Sequence, residues 1–420
     1  MLCGVRIFKE MKSKEMRMMM TGAECLRRIF LFEKPEYLPN YENVAMGPRL
    51  EQQWHTEGLP AGVSIDEFFG FVNPIHWYGW VGRGKFDPLP GVPGQGVLKE
   101  DDQRTIYRDC WGRETEWFKG ELMSENAHRV LKDGVMNRAD WQKFKGQFSS
   151  DNPWRYPGSV DPSRTPVCLT AIIFPPARYQ GEITTYADLE QMASSGETLL
   201  QITAPSMFGE FKELMGYENL CMLLHDDRAL IQEIIETRTE LALTVIGKVM
   251  DRIPFPILHF WEDMAYQAGP LISPKIFAEL AGEAYARIIR LFKSKGGQIV
   301  SLDSDGDIRK LIPLWIQCGV NHLWPMEVKA GMDVAALRQQ YGRAFSMRGG
   351  IDKFVLFDGP DAMCRELERV APIVEEGGYM PMIDHSVPPG VTFDNFCRYM
   401  ELKREILGVR YIPWEQRERR

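Results

Sequence analysis

The sequence lacks the signatures of a cysteine-based metalloprotein, a membrane protein and a nucleic-acid-binding protein. Its eight cysteines never stand in a Cys-x-x-Cys spacing, so we predict reduced thiols in the cytoplasm and no structural zinc site built on cysteine. No run of about 18 apolar residues occurs, which argues against a membrane-spanning segment. Acidic residues outnumber basic ones by 58 to 50, for a net charge of −8, and this disfavours nucleic acid and anionic membranes as partners. A small molecule is the expected partner.

A glycine-rich phosphate-binding turn after an early strand is also missing, and its absence disfavours a doubly wound open sheet. From Thr165 onward, short apolar runs alternate with long amphipathic segments, a pattern typical of βα units and a parallel sheet. The strand-like runs begin near Val167, Ile257, Gln298, Asn321, Ala344 and Tyr379. We therefore predict an α/β fold, a (β/α)₈ TIM barrel with an elaborated N-terminal region, in which two further strands come from residues 185–225. A doubly wound open sheet is the alternative.

Capping residues and apolar spacing predict three long helices in the second part of the chain. They begin at Asp226-Asp227, Ser273 and Asp358. The region before residue 165 is instead rich in tryptophan, glycine and proline, and residues 103–112 alternate like one arm of a β-hairpin. We therefore expect residues 1–20 to be a frayed extension and 21–420 to be one barrel domain. Within that domain, 21–164 elaborate the N-terminal side and 165–408 form the barrel core.

Acidic residues follow several of the predicted strands at the point where each strand ends. They are Glu262-Asp263, Asp303-Ser304-Asp305, Glu327 and Asp384-His385. Because the carboxyl ends of parallel strands meet at one rim of a barrel, we expect these side chains to lie together. Carboxylates that lie together repel one another unless a metal, a proton or a cationic substrate offsets their charge. An active site at this rim is the leading interpretation.

Two of these acids and one histidine have the spacing of a metal site. Asp303 and Asp305 are two residues apart, so in an extended strand end their side chains point the same way. With His385 from another strand they would offer two oxygens and one nitrogen to a divalent ion, which Glu262, Asp263 or Glu327 could complete. The alternative is that Asp305-Gly306-Asp307 is a turn that caps the next helix, and that His385 is a hydrogen-bonded packing residue.

A pair of glycines with flanking cations marks a further strand end. Gly349-Gly350 follows Arg348 and precedes Lys353. Paired glycines let the backbone approach a ligand closely, and either cation could hold an anionic group. A plain turn is the alternative. His259 lies inside a strand-like run, so we expect it to be a core residue, while His322 is open to either reading.

Several of these segments together resemble a known family. The segments are Phe208–Leu220, Trp261–Pro274, Gly306-Asp307 and the strand that ends at His385, and they resemble the uroporphyrinogen decarboxylase superfamily. The likeness covers residues 165–408. It implies a single-domain (β/α)₈ barrel with its cleft at the carboxyl rim, which agrees with the fold predicted from periodicity.

The resemblance implies two branches of activity, and the chain departs from both. Decarboxylases of the superfamily act on porphyrinogen acetates without a metal and use an arginine-rich N-terminal motif, whose nearest counterpart here, Tyr41–Arg49, has one arginine. Corrinoid-dependent methyltransferases bind zinc through a His-x-Cys pair and a late cysteine. In this chain Asp303-Ser304-Asp305 and His385 stand at those positions, so both cysteines are replaced.

The expected protein is a divergent member near the methyltransferase branch. Its expected reaction is metal-assisted transfer of a methyl group from a small O- or N-methylated compound to a corrinoid carried by a separate protein, with zinc or a harder divalent ion in the site. The expected site residues are Glu327, Asp263 and His385 in catalysis, Arg348, Gly350, Trp261 and Glu262 in substrate binding, and Asp303, Asp305 and His385 as metal ligands. The alternatives are a cofactor-free decarboxylase and a non-catalytic barrel that binds a small molecule.

Overall fold

Seven parallel strands form the central sheet of the protein. The computed structural model describes residues 20–42, 48–78, 95–109, 111–118, 128–158 and 185–410. The strands of the sheet are β1 (Ile75–Tyr78), β2 (Leu199–Ala204), β3 (Ile257–Trp261), β4 (Ile299–Asp303), β5 (His322–Met326), β6 (Ser346–Ile351) and β7 (Tyr379–Ile383). Their order in the sheet follows the chain from β1 to β7, and every neighbouring pair is parallel. The predicted α/β fold with a barrel of parallel strands is confirmed.

Five predicted strands lie where the apolar runs placed them, and these are β3 to β7. The strand predicted near Val167 lies outside the described residues. The prediction that two further strands come from residues 185–225 is half wrong. Strand β2 lies there, but β1 comes from the N-terminal region and pairs with β2. Its sequence Ile-His-Trp-Tyr is short and only partly apolar, so it carries no strand signal that periodicity could detect.

Successive side chains of each strand point to opposite faces of the sheet and pack into two separate hydrophobic cores. Leu258 and Leu302, for example, pack outward against the helices in the larger core. Ile257 and Ile299 point inward to the base of the barrel, where the helix Gly22–Phe30 packs against them. Several side chains of this helix are almost fully buried, and each contributes roughly 1.5–3 kcal/mol by burial. The N-terminal helix therefore closes the barrel at the end opposite the predicted site.

Helices cover the outside of the sheet between successive strands. The helices of the described residues are Gly22–Phe30, Pro48–Glu57, Ile65–Phe69, Arg138–Phe144, Tyr186–Ser195, Gly209–Met215, Tyr217–Asp226, Arg228–Met250, Pro274–Leu280, Gly282–Ser294, Ile312–Cys318, Val334–Tyr341, Val355–Asp358, Pro360–Glu376 and Phe393–Leu407. Short 3₁₀ helices span Lys145–Phe148, Pro153–Arg155 and Val328–Ala330. None of these described helices is long and apolar enough to cross a membrane.

All three predicted helices begin close to the predicted positions. Asp227 accepts a hydrogen bond from the amide of Leu230 and caps Arg228–Met250, and Pro360–Glu376 begins after Gly359. The helix predicted from Ser273 is divided at Ala281 into two pieces. The apolar spacing continues across this break, so periodicity alone could not reveal it.

The N-terminal region adds a four-stranded antiparallel sheet. Its strands are Gly96–Glu100, Arg104–Arg108, Glu114–Phe118 and His128–Lys132. The hairpin arm predicted within residues 103–112 is thereby confirmed by the strand Arg104–Arg108. Two-residue strands also pair Leu38–Pro39 with Val409–Arg410 and Ala265–Tyr266 with Gly269–Pro270.

A buried ion pair ties the N-terminal region to the last helix and to β7. Lys403 donates a hydrogen bond to Glu42, and both side chains are fully buried. The same carboxylate accepts from the hydroxyl of Tyr399 at 2.7 Å and from the amide of Ile383 at 3.0 Å. Because Ile383 is the last residue of β7, this pair fixes the strand end that carries the predicted site residue His385.

Candidate active site

Side chains inside the barrel become more polar from its base towards its carboxyl rim. The residues of the middle layer are Thr203, His259, Ser301, His322 and Ser346, all buried. His259 Nδ1 lies 3.3 Å from the Ser301 hydroxyl, and His322 Nδ1 lies 2.9 Å from the Ser346 hydroxyl. Burial, with a smaller effect of Arg348, holds the pKa of both histidines well below its ordinary value. The prediction that His259 is a core residue is confirmed, and both rings are neutral.

The next layer contains the ends of four strands. Asp303 is in register with Trp261 on one side and Trp324 on the other. Arg348 is 2% exposed, and its guanidinium carbon lies 3.8 Å from the centre of the Trp324 ring. Its Nη1 donates a hydrogen bond of 2.7 Å to the hydroxyl of Tyr41. Tyr41 is a member of this site that the sequence did not indicate.

Asp303 carries its carboxyl group in this buried layer. It is 8% exposed. Burial raises its pKa well above the ordinary value, and Asp305 and Asp263 raise it further, while Arg348 opposes the shift. A carboxyl group in such surroundings holds a proton more readily than one in water.

Asp305 and His385 meet at the rim above this layer. Asp305 Oδ2 lies 3.7 Å from His385 Nε2, and Oδ1 is buried without a hydrogen-bond partner among the described residues. Burial, and then the charges of Glu327 and Asp263, raise the pKa of Asp305 to about 7. Burial and Lys353 lower the pKa of His385, whose Nδ1 lies 2.8 Å from the Ser386 hydroxyl.

Glu327 and Asp384 connect the segments that follow four strands, β4 to β7. Glu327 accepts hydrogen bonds from the amide of Gly306 at 2.8 Å and from the Lys353 ammonium at 3.3 Å. Asp384 accepts from the amides of Val328 at 2.7 Å and Lys353 at 3.1 Å. These contacts hold the loops after β4, β5 and β6 in fixed positions around Asp305.

Glu262 is engaged by the backbone of a neighbouring loop. One carboxylate oxygen accepts from the amides of Phe208 at 2.9 Å and Gly209 at 3.1 Å, and the other from Met207 at 3.4 Å. The side chain is fully buried, and burial raises its pKa to about 8. These contacts occupy the start of the helix Gly209–Met215, so the carboxylate serves the packing of that helix on β3. A role for Glu262 in substrate binding stays a prediction.

Asp263 lies at the rim in a strained backbone conformation. Its φ angle is +40°, a conformation that L-residues rarely adopt outside functional or tightly turned positions. Its side chain lies 3.1 Å from the Lys212 ammonium, which also donates to its carbonyl group. Lys212 is a second site residue that the sequence did not indicate, because a lysine on a helix is ordinarily a solvated surface residue.

The predicted metal ligands do not all meet. Within the described residues, no three histidine, cysteine or acidic side chains form a group that could hold a metal ion. Strand β4 ends at Asp303, and the chain then turns through Gly306, whose φ is +82°, so Asp305 leaves the extended geometry on which the prediction rested. Asp303 stays in the layer of Arg348, while Asp305 and His385 meet at the rim. Asp305 and His385 could therefore bind the same divalent ion, but Asp303 could not join them as a third ligand.

The remaining predicted residues have clear positions. Asp307 pairs with Arg309 at the surface at 2.7 Å, as expected of a turn residue. Gly350 lies in β6, and a Cβ atom there would come within 2.5 Å of the Val334 side chain. Packing against the outer helix layer thus requires a glycine at this position, and a role in substrate binding stays a prediction.

Comparisons with known proteins agree with this architecture. A family model described as uroporphyrinogen decarboxylase (URO-D) matches residues 196–406, which is half of the chain. A solved methyltransferase from Methanosarcina mazei is similar over 92% of this chain and 99% of its own, with 12% identity and a TM-score of 0.52. At this identity the likeness concerns the fold alone.

Two other solved structures are more distant. A B12-independent methionine synthase from Shewanella sp. W3-18-1 is similar over 53% of this chain and 66% of its own, with 13% identity and a TM-score of 0.33. A xylanase from Paenibacillus barcinonensis is similar over 55% of this chain and 76% of its own, with 11% identity and a TM-score of 0.27. No curated protein matches the sequence.

Proposed function

Because the chain belongs to the uroporphyrinogen decarboxylase (URO-D) family, we propose that it is a barrel enzyme that transfers a methyl group from a small O- or N-methylated compound to a corrinoid carried by a separate protein. The observation that carries this proposal is the meeting of Asp305 and His385 at the carboxyl ends of the parallel strands, above the buried carboxyl group of Asp303. Active sites of barrels of this kind lie at that rim.

Acid catalysis is the contribution expected from the rim. When the bond between the methyl carbon and its oxygen or nitrogen breaks, the electron pair stays on the heteroatom, which then needs a proton. Asp305 is the proposed donor, because one of its oxygens has no hydrogen-bond partner among the described residues. His385, at 3.7 Å from the other oxygen, returns a proton from solvent. Asp263 and Glu327 orient the substrate. The reduced corrinoid of the partner protein supplies the electron pair for the new bond to carbon.

A divalent metal remains part of the proposal as a separate, testable element. Asp305 and His385 are the residues that would hold it, and it would act as a Lewis acid at the departing atom. The proton-transfer step above does not depend on it. Metal analysis of the purified protein decides the matter: bound metal that is lost in Asp305→Asn and kept in Asp303→Asn would place the ion at the rim. Protein without metal, or metal kept in both variants, would refute this site.

The methyl transfer is tested directly with the purified protein. It is incubated with methoxylated or N-methylated small compounds and a reduced corrinoid protein, and the demethylated product is measured by mass spectrometry. Product should require both the donor and the corrinoid protein. Asp305→Asn should lower kcat by about 10²- to 10⁴-fold, the usual contribution of a general acid. The control is Glu283→Gln, which removes a carboxylate from an exposed pair with Arg290. Wild-type rates in Asp305→Asn would contradict the proposed role.

Decarboxylation is the second candidate. The buried cation Arg348 forms no ion pair with an acidic side chain of the described residues, and a decarboxylase needs such a cation to hold a carboxylate. An acid beside it would protonate the carbon from which carbon dioxide departs. Release of carbon dioxide from a carboxylated substrate without any corrinoid protein would favour this reaction. Ligand binding without either turnover would favour a non-catalytic barrel.

A further inference from the structure

Arg348 is a buried cation whose hydrogen-bonding capacity is largely unused. It is 2% exposed, and no acidic side chain of the described residues pairs with it. A guanidinium group has five N–H donors, yet here a single hydrogen bond, to Tyr41, is formed with the described part of the chain. A buried charge without a partner costs several kcal/mol. A side chain in this state points to a ligand that supplies the missing acceptors.

The contacts of Arg348 leave one side of its guanidinium group free. Trp324 covers a face of the group, with 3.8 Å between the guanidinium carbon and the ring centre. Tyr41 occupies Nη1, and Nε is buried without a hydrogen-bond partner. The remaining edge, formed by Nε and Nη2, presents two parallel N–H groups. This is the geometry that binds the two oxygens of a carboxylate.

Asp303 of the same layer interacts electrostatically with Arg348 but forms no ion pair with it, and the other charged groups near this edge favour a singly charged anion. The nearby histidines of the middle layer, His259 and His322, are neutral because burial lowers the pKa of both. The two lysines of the rim are already engaged, Lys353 with Glu327 and Lys212 with Asp263. A phosphate dianion would therefore find one available cation, whereas a carboxylate needs only one.

We propose that the Nε–Nη2 edge of Arg348 binds a carboxylate of the substrate, and that the substrate is therefore a small methylated acid. Tyr41 and Trp324 act as positioning residues, because they hold the guanidinium group by its other edge and its face. The inference that the substrate carries a methyl group rests on the proposed function, whereas the inference of a carboxylate-binding site does not. Anchored in the Asp303 layer, a small acid would present its other end to Asp305 and His385 at the rim.

The test compares carboxylates with their neutral amides. Binding of benzoate and benzamide, of methoxyacetate and methoxyacetamide, and of methyl phosphate is measured by ligand-observed NMR on the full chain without any methyl acceptor. At least one carboxylate should bind more tightly than its amide and than methyl phosphate. Arg348→Lys should weaken the binding of that carboxylate by about tenfold to a hundredfold, which is the contribution of a charged bidentate contact to affinity. Tyr41→Phe should weaken it by about threefold to tenfold.

The amides separate ligand binding from a purely structural role. If Arg348 only stabilises the barrel, its substitution will weaken the binding of the carboxylate and the binding of the amide equally. The control is Arg309→Lys at the surface, where Arg309 pairs with Asp307, and binding there should not change. Equal binding of carboxylate and amide by the wild-type protein, or tighter binding of methyl phosphate, would overturn the proposal. Methyl transfer from neutral compounds with no preference for acids would refute the carboxylate site and leave the proposed function intact.

Discussion

Substitution of Gly209 by alanine should damage both the stability of the protein and its active-site rim. Gly209 begins a helix against the end of β3, and a Cβ atom there would lie 1.9 Å from the carbonyl oxygen of Glu262 and 2.6 Å from its carbonyl carbon. Carbon and oxygen atoms ordinarily approach to about 3.3 Å. The helix and the strand end would have to separate by roughly 1 Å or more, and no side-chain rotation can relieve a contact with backbone.

The cost follows from what this separation disrupts. Overpacking of a core costs about 1–3 kcal/mol. The amides of Phe208 and Gly209 donate to Glu262 at 2.9 Å and 3.1 Å, and weakening hydrogen bonds to a buried carboxyl group costs about 1–3 kcal/mol more. We expect a loss of about 3 kcal/mol or more in the free energy of unfolding, measured by urea titration. The proposed methyl transfer should slow as well, because Asp263 follows Glu262 directly.

Gly282 offers a matched control for this experiment. It also begins a helix, but a Cβ atom there would meet nothing within 4 Å. Gly282→Ala should therefore stabilise the protein by about 0.4–1 kcal/mol through the lower entropy of the unfolded chain. If Gly209→Ala unfolds at the same urea concentration as wild type or as Gly282→Ala, the close approach of helix and strand is wrong.

Two further predictions concern buried and half-buried charges. Lys403→Met should lower the free energy of unfolding by about 3–5 kcal/mol, because it leaves the carboxylate of Glu42 buried without its cation. The double variant with Glu42→Gln should recover part of this loss. An unchanged free energy of unfolding for Lys403→Met in urea titration would refute the pairing. Hydrogen bonds from Arg27 lower the pKa of Glu24 from 4.5 to about 2, so Glu24 stabilises the folded state above pH 4.5 and this contribution is lost as the pH falls through 2. Glu24→Gln should cost up to about 1 kcal/mol at pH 7, a value reduced by solvent screening, with a difference from wild type that narrows below pH 4.5; a pH-independent difference would contradict the shift.

The acidic rim could be predicted from sequence because its cause is local. An apolar run followed by acids marks the carboxyl end of a strand, and parallel strands bring such ends together. Asp303, Asp305 and Asp384 were placed in this way, and all three have pKa values raised by burial. The position of Asp305 relative to Asp303 could not be predicted, because it depends on where the strand gives way to the turn at Gly306.

Contacts between residues far apart in the sequence could not be predicted from any local sequence pattern. Tyr41 bonds Arg348 across 307 residues, and Glu42 pairs with Lys403 across 361. No local pattern links such positions, since each residue alone is compatible with a surface location. Strand β1 was missed for a related reason: four mixed residues become a strand only because β2 lies beside them.

The carboxyl groups of the rim separate into two kinds by their partners, and this division bears on where the chemistry occurs. Glu262, Glu327 and Asp384 accept hydrogen bonds from backbone amides of neighbouring loops, so a substitution at any of them would disturb the loops themselves. The side chains of Asp303 and Asp305 accept no such bonds from the described backbone, and this separates them from Glu262 and Asp384, whose pKa values burial also raises. In the proposed reaction, these two would therefore exchange protons with a substrate without moving the scaffold. Substitutions of the first three should act mainly on stability, and substitutions of the last two mainly on turnover.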